Sequence, residues 1–337
     1  MPEIGLLHPL AHFLRAAIWA SVALVWASPC AGTASTAFAD YPVRSIRIIV
    51  AYSAGTADDV FARALGAELA AAYRQRIIID NRTGAGGLIG NRLMSQANAD
   101  GYTLGMTGVT RMITELMRDE PPYRALGDIV GVAQVASITN VLVVSPSVPA
   151  RSARQLLAYG RVRPGELNYA SLGIGSASHL AGEIFTRALG LDAMHVPFQR
   201  LSDSFVEMML GRVHYAVQTL PSVLPPLREG RLRALAVMTR ERSPVLPGVP
   251  AIAEAGLPEA QFDRWCGIVA PRGTPRRVVE QLHGDVVKAL RKPALRDRFA
   301  RHGAESTLES TPESFMRFMQ EEYVRYQAYI RSGALRP

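Results

Sequence analysis

The stretch from Ile46 to Arg63, IRIIVAYSAGTADDVFAR, constrains the fold more than any other part of the chain. An apolar, β-branched run is followed by the small residues Ser53-Ala54-Gly55-Thr56-Ala57 and then by a helical segment from Val60 to Tyr73. A buried strand, a tight loop and a helix form the first half of a βαβ unit. The free N–H groups at the start of such a helix can hold an anion. A plain turn, capped by Thr56 or Asp58, fits the same residues.

A second unit of the same kind lies in the middle of the chain. The strand Leu167 to Ala170 leads into a glycine–serine loop, Gly173 to His179, and then into a helix that ends at Leu189. Segments with strand and helix character alternate along most of the chain, which predicts parallel-sheet α/β domains. The turn Gly84-Ala85-Gly86-Gly87 lacks the third glycine of a dinucleotide fingerprint, so we assign it to a left-handed turn and close helix–sheet packing.

The second glycine–serine loop leaves one alternative function open. Ser176 and His179 could serve as nucleophile and base of an exported hydrolase, with Asp59 or Glu183 as a third member. The G-x-S-x-G nucleophile elbow is absent, because Ile174 and Ser178 occupy the two glycine positions. The Ser178 hydroxyl is explained without catalysis if it caps the following helix. We therefore predict that the chain is not an enzyme.

Charge and histidine spacing argue against nucleic-acid and metal-binding functions. The net charge is +8, but the basic residues are scattered rather than gathered into runs, as a nucleic-acid binder would more often have them. His179, His195 and His214 are dispersed without a metal-ligand spacing. The sequence therefore predicts no nucleic-acid partner, no metal and no cofactor.

Residues 1–39 have the pattern of a secretory signal peptide. Arg15 precedes an apolar core from Ala16 to Ala27, and Ala37-Phe38-Ala39 forms an A-x-A cleavage site before Asp40. The core is shorter than the roughly 20 residues that span a bilayer. We expect cleavage after Ala39 and a mature protein in the periplasm.

Several motifs together resemble one family. They are IRIIVAYSAGTADDVFAR, IIIDNRTGAGGLIG, ADGYTLGMTG, LNYASLGIGSASHLAGEIF, HVPFQ, EGRLRALAVMTRERSPVLPGVPAIAEAGLP and GIVAPRGTP. Their order and spacing resemble the receptors of the tripartite tricarboxylate transporter family, the Bug-type periplasmic solute-binding proteins. The resemblance runs from about Tyr41 to the C-terminus.

This resemblance implies a two-lobed periplasmic-binding-protein fold, type II-like, with parallel-dominated sheets flanked by helices and a ligand cleft between the lobes. Residues 40–140 and 250–337 would form lobe 1, and residues 141–249 lobe 2. The implied function is an exported receptor that captures a small carboxylate and delivers it to membrane transporter subunits. A monomer is expected. A ligand-binding subunit of a sensor, without a transporter, remains a further alternative.

The resemblance also implies which residues hold the ligand. In the family, the loop after the first strand and a glycine–serine loop of the second lobe grip a carboxylate, largely through backbone groups and ordered water. Carried over to this chain, the expected ligand-binding residues are Ser53, Ala54, Gly55, Thr56, Asp59, Gly173, Gly175, Ser176, Ser178, His179, Phe198 and Arg200.

Three of these positions depart from the family pattern, the first being Ser53, which stands where proline is common. Gly55-Thr56 replaces the usual pair of glycines, and Arg200 stands where glycine is common. A guanidinium suits bidentate recognition of a carboxylate. One hypothesis is therefore that Arg200 reaches the cleft and selects a di- or tricarboxylate; the alternative is that it points to solvent.

Overall fold

Two β-sheets, each covered by helices, form the framework of the protein. The computed structural model describes residues 41–331, so the predicted signal peptide lies outside the described residues. The strands are β1 (Ile46–Val50), β2 (Ile77–Asn81), β3 (Thr103–Gly108), β4 (Ile129–Ile138), β5 (Asn140–Val144), β6 (Leu167–Ser171), β7 (Ala193–Pro197), β8 (Tyr215–Thr219), β9 (Arg233–Val237), β10 (Arg264–Pro271) and β11 (Ala304–Ser306).

The α-helices are α1 (Ala57–Tyr73), α2 (Leu88–Ser95), α3 (Val109–Leu116), α4 (Ala153–Arg161), α5 (Ala177–Ala188), α6 (Leu201–Met209), α7 (Leu220–Arg228), α8 (Arg276–Leu290), α9 (Pro293–Arg301) and α10 (Pro312–Arg331). Short 3-10 helices span Ala85–Gly87 and Pro258–Ala260. Among residues 41–331, no helix is both long and apolar enough to cross a membrane.

The two sheets have related topologies. The first has the strand order β11-β4-β10-β3-β1-β2 and the second β7-β6-β8-β5-β9. In the first, β1 pairs in parallel with β2 and β3, while β10 lies antiparallel between β3 and β4. In the second, β6 pairs in parallel with β7 and β8, while β5 lies antiparallel between β8 and β9. The predicted two-lobed α/β fold is confirmed.

The sheets are mixed rather than dominated by parallel pairs, which corrects one detail of the expectation. A connection through a crossover helix is what returns the chain parallel to its previous strand. Strand β5 instead follows β4 after one residue, and β10 follows the long crossing after β9. Strands β5 and β10 each enter their sheet directly from the other sheet. Because no crossover helix in the described residues immediately precedes them, they are not constrained to pair in parallel with their neighbours.

The chain crosses between the sheets at two adjacent places. The apolar run from Val132 to Val144 reads as one strand in the sequence, but it divides at Thr139 into strands of different sheets. The returning segment is tied to this point, because the Met238 N–H donates to the Asn140 carbonyl and the Asn140 amide donates to the Phe262 carbonyl. The lobe boundaries at 140 and 250 stay a prediction.

Burial of the central strands explains their composition. All residues of β5 and β10 are buried, because helices cover both faces of each sheet. Helices α8 and α10 pack on β4 of the first sheet, and α5 and α7 pack on β8 of the second. Trp265 on β10 is part of this core, and its Nε1 donates to Glu322 Oε2 on α10 at 3.1 Å.

Helix α2 lies unusually close to the first sheet at Gly90. A Cβ at this position would lie 2.7 Å from the Ala51 Cα and 2.8 Å from the Arg82 carbonyl oxygen. The predicted close helix–sheet packing of the glycine-rich segment is therefore present, and it depends on this residue more than on Gly84 to Gly87.

We expect Gly90→Ala to destabilise the protein by about 1–3 kcal/mol, the usual cost of overpacking. Gly284→Ala is the matched control: Gly284 is also in a helix, α8, but a Cβ there meets nothing within 4 Å. The control should be neutral or stabilising by up to about 1 kcal/mol, since alanine favours helices. Urea denaturation measures both, and equal effects would contradict the packing argument.

Candidate functional site

The candidate site lies where strands of both sheets end. The segments after β1, β3 and β6 face one another there, together with the end of β8 and the start of α7. In α/β proteins, ligands bind beyond the carboxyl ends of parallel strands because loops and helix N-termini meet at that edge. Both strand–loop–helix units identified in the sequence contribute to this region.

The loop after β1 is held in shape by Asp59. One carboxylate oxygen accepts from the Gly55 N–H at 3.0 Å and the other from the Asn81 amide at 3.0 Å, and Arg63 forms an ion pair at 2.8 Å. Burial acts to raise the pKa of Asp59, but these hydrogen bonds outweigh it and keep the pKa below its usual value. Both oxygens of the Asp59 carboxylate are therefore engaged in stabilising the loop and are not presented to the cleft.

The glycine–serine loop after β6 is organised by its own hydroxyls. The N-cap of α5 is Ser176, whose Oγ accepts from the His179 N–H at 3.1 Å. Ser178, the cap predicted from the sequence, lies inside the first turn, and its Oγ accepts from the Leu172 N–H at 3.0 Å. The cap is thus two residues earlier than predicted, because Ser176 is the last residue with extended backbone.

The His179 ring also belongs to this loop. Its Nδ1 accepts from the Gly175 N–H at 3.2 Å, and the ring stacks on His195 with centroids 4.1 Å apart. Burial lowers the pKa of each histidine to about 4, so both are neutral at physiological pH. The hydrolase alternative would require a hydrogen bond between the His179 ring and the Ser176 hydroxyl. Within residues 41–331, no such hydrogen bond is present.

A chain of hydrogen bonds joins the two sides of the cleft. The Ala177 N–H at the start of α5 donates to Thr110 Oγ1 on α3 at 3.2 Å, and Thr110 Oγ1 lies 2.6 Å from the Tyr52 hydroxyl. The Tyr52 hydroxyl in turn donates to the Gly86 carbonyl at 3.3 Å. Thr110 is a contact that sequence reasoning missed, since its position at the start of a helix has no distinctive motif.

Two spaces open between the sheets, and Tyr52 and Leu172 line both. The first, which we call the inner cavity, has a volume of about 20 Å³. Its lining residues are Tyr52, Thr56, Asn140, Leu172, Ala177, Ser178, Val217, Gln218, Thr219, Ser222 and Arg264. The second, which we call the outer groove, has a volume of about 580 Å³. Its lining residues are Tyr52, Thr83, Gly84, Ala85, Gly86, Met117, Arg118, Leu172, Gly173, Ile174, Pro197, Phe198 and Gln199.

Three helices start at the inner cavity. Thr56 is the N-cap of α1, Ala177 and Ser178 belong to the first turn of α5, and Thr219 is the N-cap of α7. Each helix N-terminus carries a partial positive charge from the helix dipole. In α7 this charge does not come with free N–H groups at its first two positions, because the Leu220 N–H donates to the Thr139 carbonyl at 2.8 Å and Pro221 has no N–H. The convergence of the three N-termini makes the inner cavity favourable for an anionic group.

A buried ion pair lies beside this cavity. Arg264 at the start of β10 lines it, and its Nη2 donates to Asp58 Oδ2 on α1 at 2.7 Å. Burial raises the pKa of Asp58, although Arg264 opposes the shift. The residue expected from the sequence was Asp59 and not Asp58, because sequence alone does not say which of two adjacent helical residues contacts the buried arginine.

The expected site residues fall into three groups. Thr56 and Ser178 line the inner cavity, and Gly173 and Phe198 line the outer groove. A supporting group consists of Asp59, Gly175, Ser176 and His179, which shape the two loops through the hydrogen bonds described above. A last group lines neither space: Ser53, Ala54, Gly55 and Arg200. Arg200 is exposed at the N-cap of α6, beside Leu201, whose N–H lies 3.5 Å from Ser53 Oγ.

No metal centre accompanies this site in the described part of the chain. Three or more His, Cys, Asp or Glu side chains do not come together anywhere between residues 41 and 331.

Sequence comparison places the chain among known proteins. The family model described as the tripartite tricarboxylate transporter family receptor matches residues 61–335. The chain belongs to this receptor family. It is 34% identical to Protein BugT of Bordetella pertussis, over 89% of this chain and 93% of that protein. It is also 33% identical to a UPF0065 protein from the tcbD-tcbE intergenic region of Pseudomonas sp. (strain P51), over 95% of both chains.

Solved structures support the same family assignment. R. palustris Rpa4515 with adipate is 32% identical and superposes with a TM-score of 0.84, covering 88% of this chain and 99% of that one. MatC (Rpa3494) from Rhodopseudomonas palustris with bound malate is 30% identical, with a TM-score of 0.81, covering 86% and 99%. The receptor family and its two-lobed fold, both expected from the motifs, are confirmed.

The departure of this receptor from the family's glycine pair costs no backbone strain. Gly55 has a φ of 84°, which favours glycine, whereas Thr56 has a φ of −71° and a ψ of 161°, which any residue adopts. The Thr56 hydroxyl donates to the Ser53 carbonyl at 2.9 Å and so reinforces the loop.

The backbone contact between the two sides of the cleft predicts a substitution that opens it. Gly86 has a φ of 66°, and a Cβ there would lie 2.0 Å from the Ile174 carbonyl oxygen across the cleft. Gly86→Ala should therefore push the two loops apart and increase the radius of gyration in small-angle X-ray scattering. Gly55→Ala is the control, since its φ of 84° carries a similar strain but nothing lies within 4 Å. Identical scattering of both variants would contradict this role of Gly86.

Proposed function

We propose that the protein is a periplasmic receptor that binds a small carboxylate between its two sheets and delivers it to a tripartite tricarboxylate-type transporter. The observation that carries the proposal is the inner cavity, where three helix N-termini and the buried Arg264 surround one small space. Carboxylates in related receptors, adipate in Rpa4515 and malate in MatC, are consistent with this ligand class.

The two spaces divide the ligand between them. The inner cavity favours a negatively charged oxygen because the partial charges of helix N-termini act more strongly where water is excluded. The outer groove presents apolar side chains, among them Leu172, Ile174 and Phe198, and one cationic side chain, Arg118. It would hold the carbon skeleton of the ligand and any further polar group.

The ligand-binding residues expected from the family take specific roles in this proposal. Thr56 and Ser178 lie next to the carboxylate, and Gly173 and Phe198 contact the rest of the ligand. Ser53, Ala54 and Gly55 form the outer part of the first loop. Asp59, Gly175, Ser176 and His179 keep the two loops in a shape that presents backbone N–H groups. Arg200 lies at the rim of the cleft.

Export and assembly complete the proposal. Membership of a periplasmic receptor family supports the periplasm as the site of action, with the leader removed after Ala39. The receptor would act as a monomer, without catalysis, and its protein partners would be membrane transporter subunits. The loop-bound ring of His179 supports a structural role for Ser176 and His179 in the binding loop rather than a catalytic one.

A thermal-shift experiment tests the carboxylate. Ligand that binds only the folded state stabilises it by about 2.7 kcal/mol at a concentration roughly a hundredfold above Kd. Adipate or malate should therefore raise the melting temperature, whereas the corresponding diamides should not, since they lack the charge that the helix N-termini favour. Equal shifts with acids and amides, or none with either acid, would refute the proposed ligand class.

Arg200 provides a test of how a second acidic group is recognised. Because its side chain is exposed, an ion pair with ligand at the rim is worth no more than about 1 kcal/mol. We expect Arg200→Gly to weaken adipate binding by that amount in calorimetry and to leave the monocarboxylate hexanoate unchanged. Equal losses for both ligands would show that Arg200 does not distinguish a second carboxylate.

A further inference from the structure

Two buried side-chain donors at the inner cavity have no acceptor in the described part of the chain. Gln218 at the end of β8 is 3% exposed and its Nε2 is unpaired; Arg264 is 7% exposed and its Nε is unpaired. Both residues line the inner cavity, from opposite sheets. Burying a donor without an acceptor is unfavourable, so two such donors in one cavity indicate an occupant with acceptor atoms.

Asp58 determines the orientation of the Arg264 guanidinium at the inner cavity. Its Oδ2 binds the Arg264 Nη2 at 2.7 Å, and both side chains are buried. This contact orients the guanidinium and offsets part of its charge. The other Asp58 oxygen, Oδ1, is also buried and unpaired, so the carboxylate has no second partner that would hold it away from Arg264.

We propose that Arg264 and Gln218 form a side-chain subsite that donates hydrogen bonds to the acidic group of the ligand, and that Asp58 is a positioning residue for Arg264. The inference rests on the proposed carboxylate-binding function and adds to it a specific readout by side chains from both sheets. Since one donor comes from each sheet, the acidic group bridges them.

In the same geometry, the Asp58 carboxylate repels a negatively charged ligand. A carboxylate bound by Arg264 lies near the Asp58 carboxylate, and like charges in a buried site repel. Asp58→Asn keeps an oxygen acceptor for Arg264 Nη2 and removes the negative charge. A purely structural role of Asp58 would instead make this substitution neutral or harmful to binding.

Calorimetry with adipate and with malate tests the subsite in the full-length mature protein. We expect Gln218→Met, which removes the donor at similar volume, to weaken binding roughly ten- to hundredfold, the scale of a hydrogen bond to a charged group. Asp58→Asn should tighten binding roughly tenfold, because it removes the repulsion between two carboxylates. The melting temperature of each ligand-free variant confirms folding.

Glu322→Gln is the matched control. Glu322 is a buried carboxylate that binds Arg325 at 2.9 Å, but it lies on α10 and lines neither the inner cavity nor the outer groove. Its substitution should leave both affinities unchanged.

The outcomes distinguish a failure of the side-chain subsite from a failure of the proposed receptor function. If the unmodified protein binds the acids, but neither Gln218→Met nor Asp58→Asn changes the affinity, the subsite is wrong while the receptor function stands. A water molecule would then satisfy the two donors. If the unmodified protein binds neither acid, both the subsite and the proposed function are overturned.

Discussion

The N-termini of three helices, gathered at one small cavity, are the constraint on which the rest of the cleft depends. Helices α1, α5 and α7 begin at the inner cavity, and their first-turn donors need acceptors that the helices cannot supply. Some find acceptors nearby: Ser176 Oγ within α5, Thr110 Oγ1 across the cleft, and the Thr139 carbonyl for the Leu220 N–H of α7. The two loops and the buried Arg264 surround the cavity into which the remaining N–H groups of the helix starts can donate.

Much of this architecture could be predicted from residue patterns. The first strand–loop–helix unit was predicted correctly from the β-branched run, small loop and helical segment of Ile46 to Arg63. The second was predicted correctly from the glycine–serine loop. The division of the run Val132 to Val144 between two sheets could not be predicted, because both halves are buried and apolar. Hydrophobic periodicity reports burial, not the sheet to which a strand belongs.

The site was predicted less completely than the fold. The two loops were identified because glycine and serine at helix starts have a local physical meaning. Gln218 and Thr219 were overlooked, although they lie at the end of β8, where such folds bind ligands. Arg264 and Asp58 could not have been paired from sequence, since they lie 206 residues apart and meet only through the packing of β10 against the first unit.

The position of the inner cavity also has a kinetic consequence. Residues of both sheets line it, most of them buried, and the backbones of Gly86 and Ile174 meet across the cleft. A group held there leaves only after the two sides separate, so the rate of opening sets an upper limit on the dissociation rate. A membrane partner that held the two sides apart would accelerate release without touching any atom of the ligand.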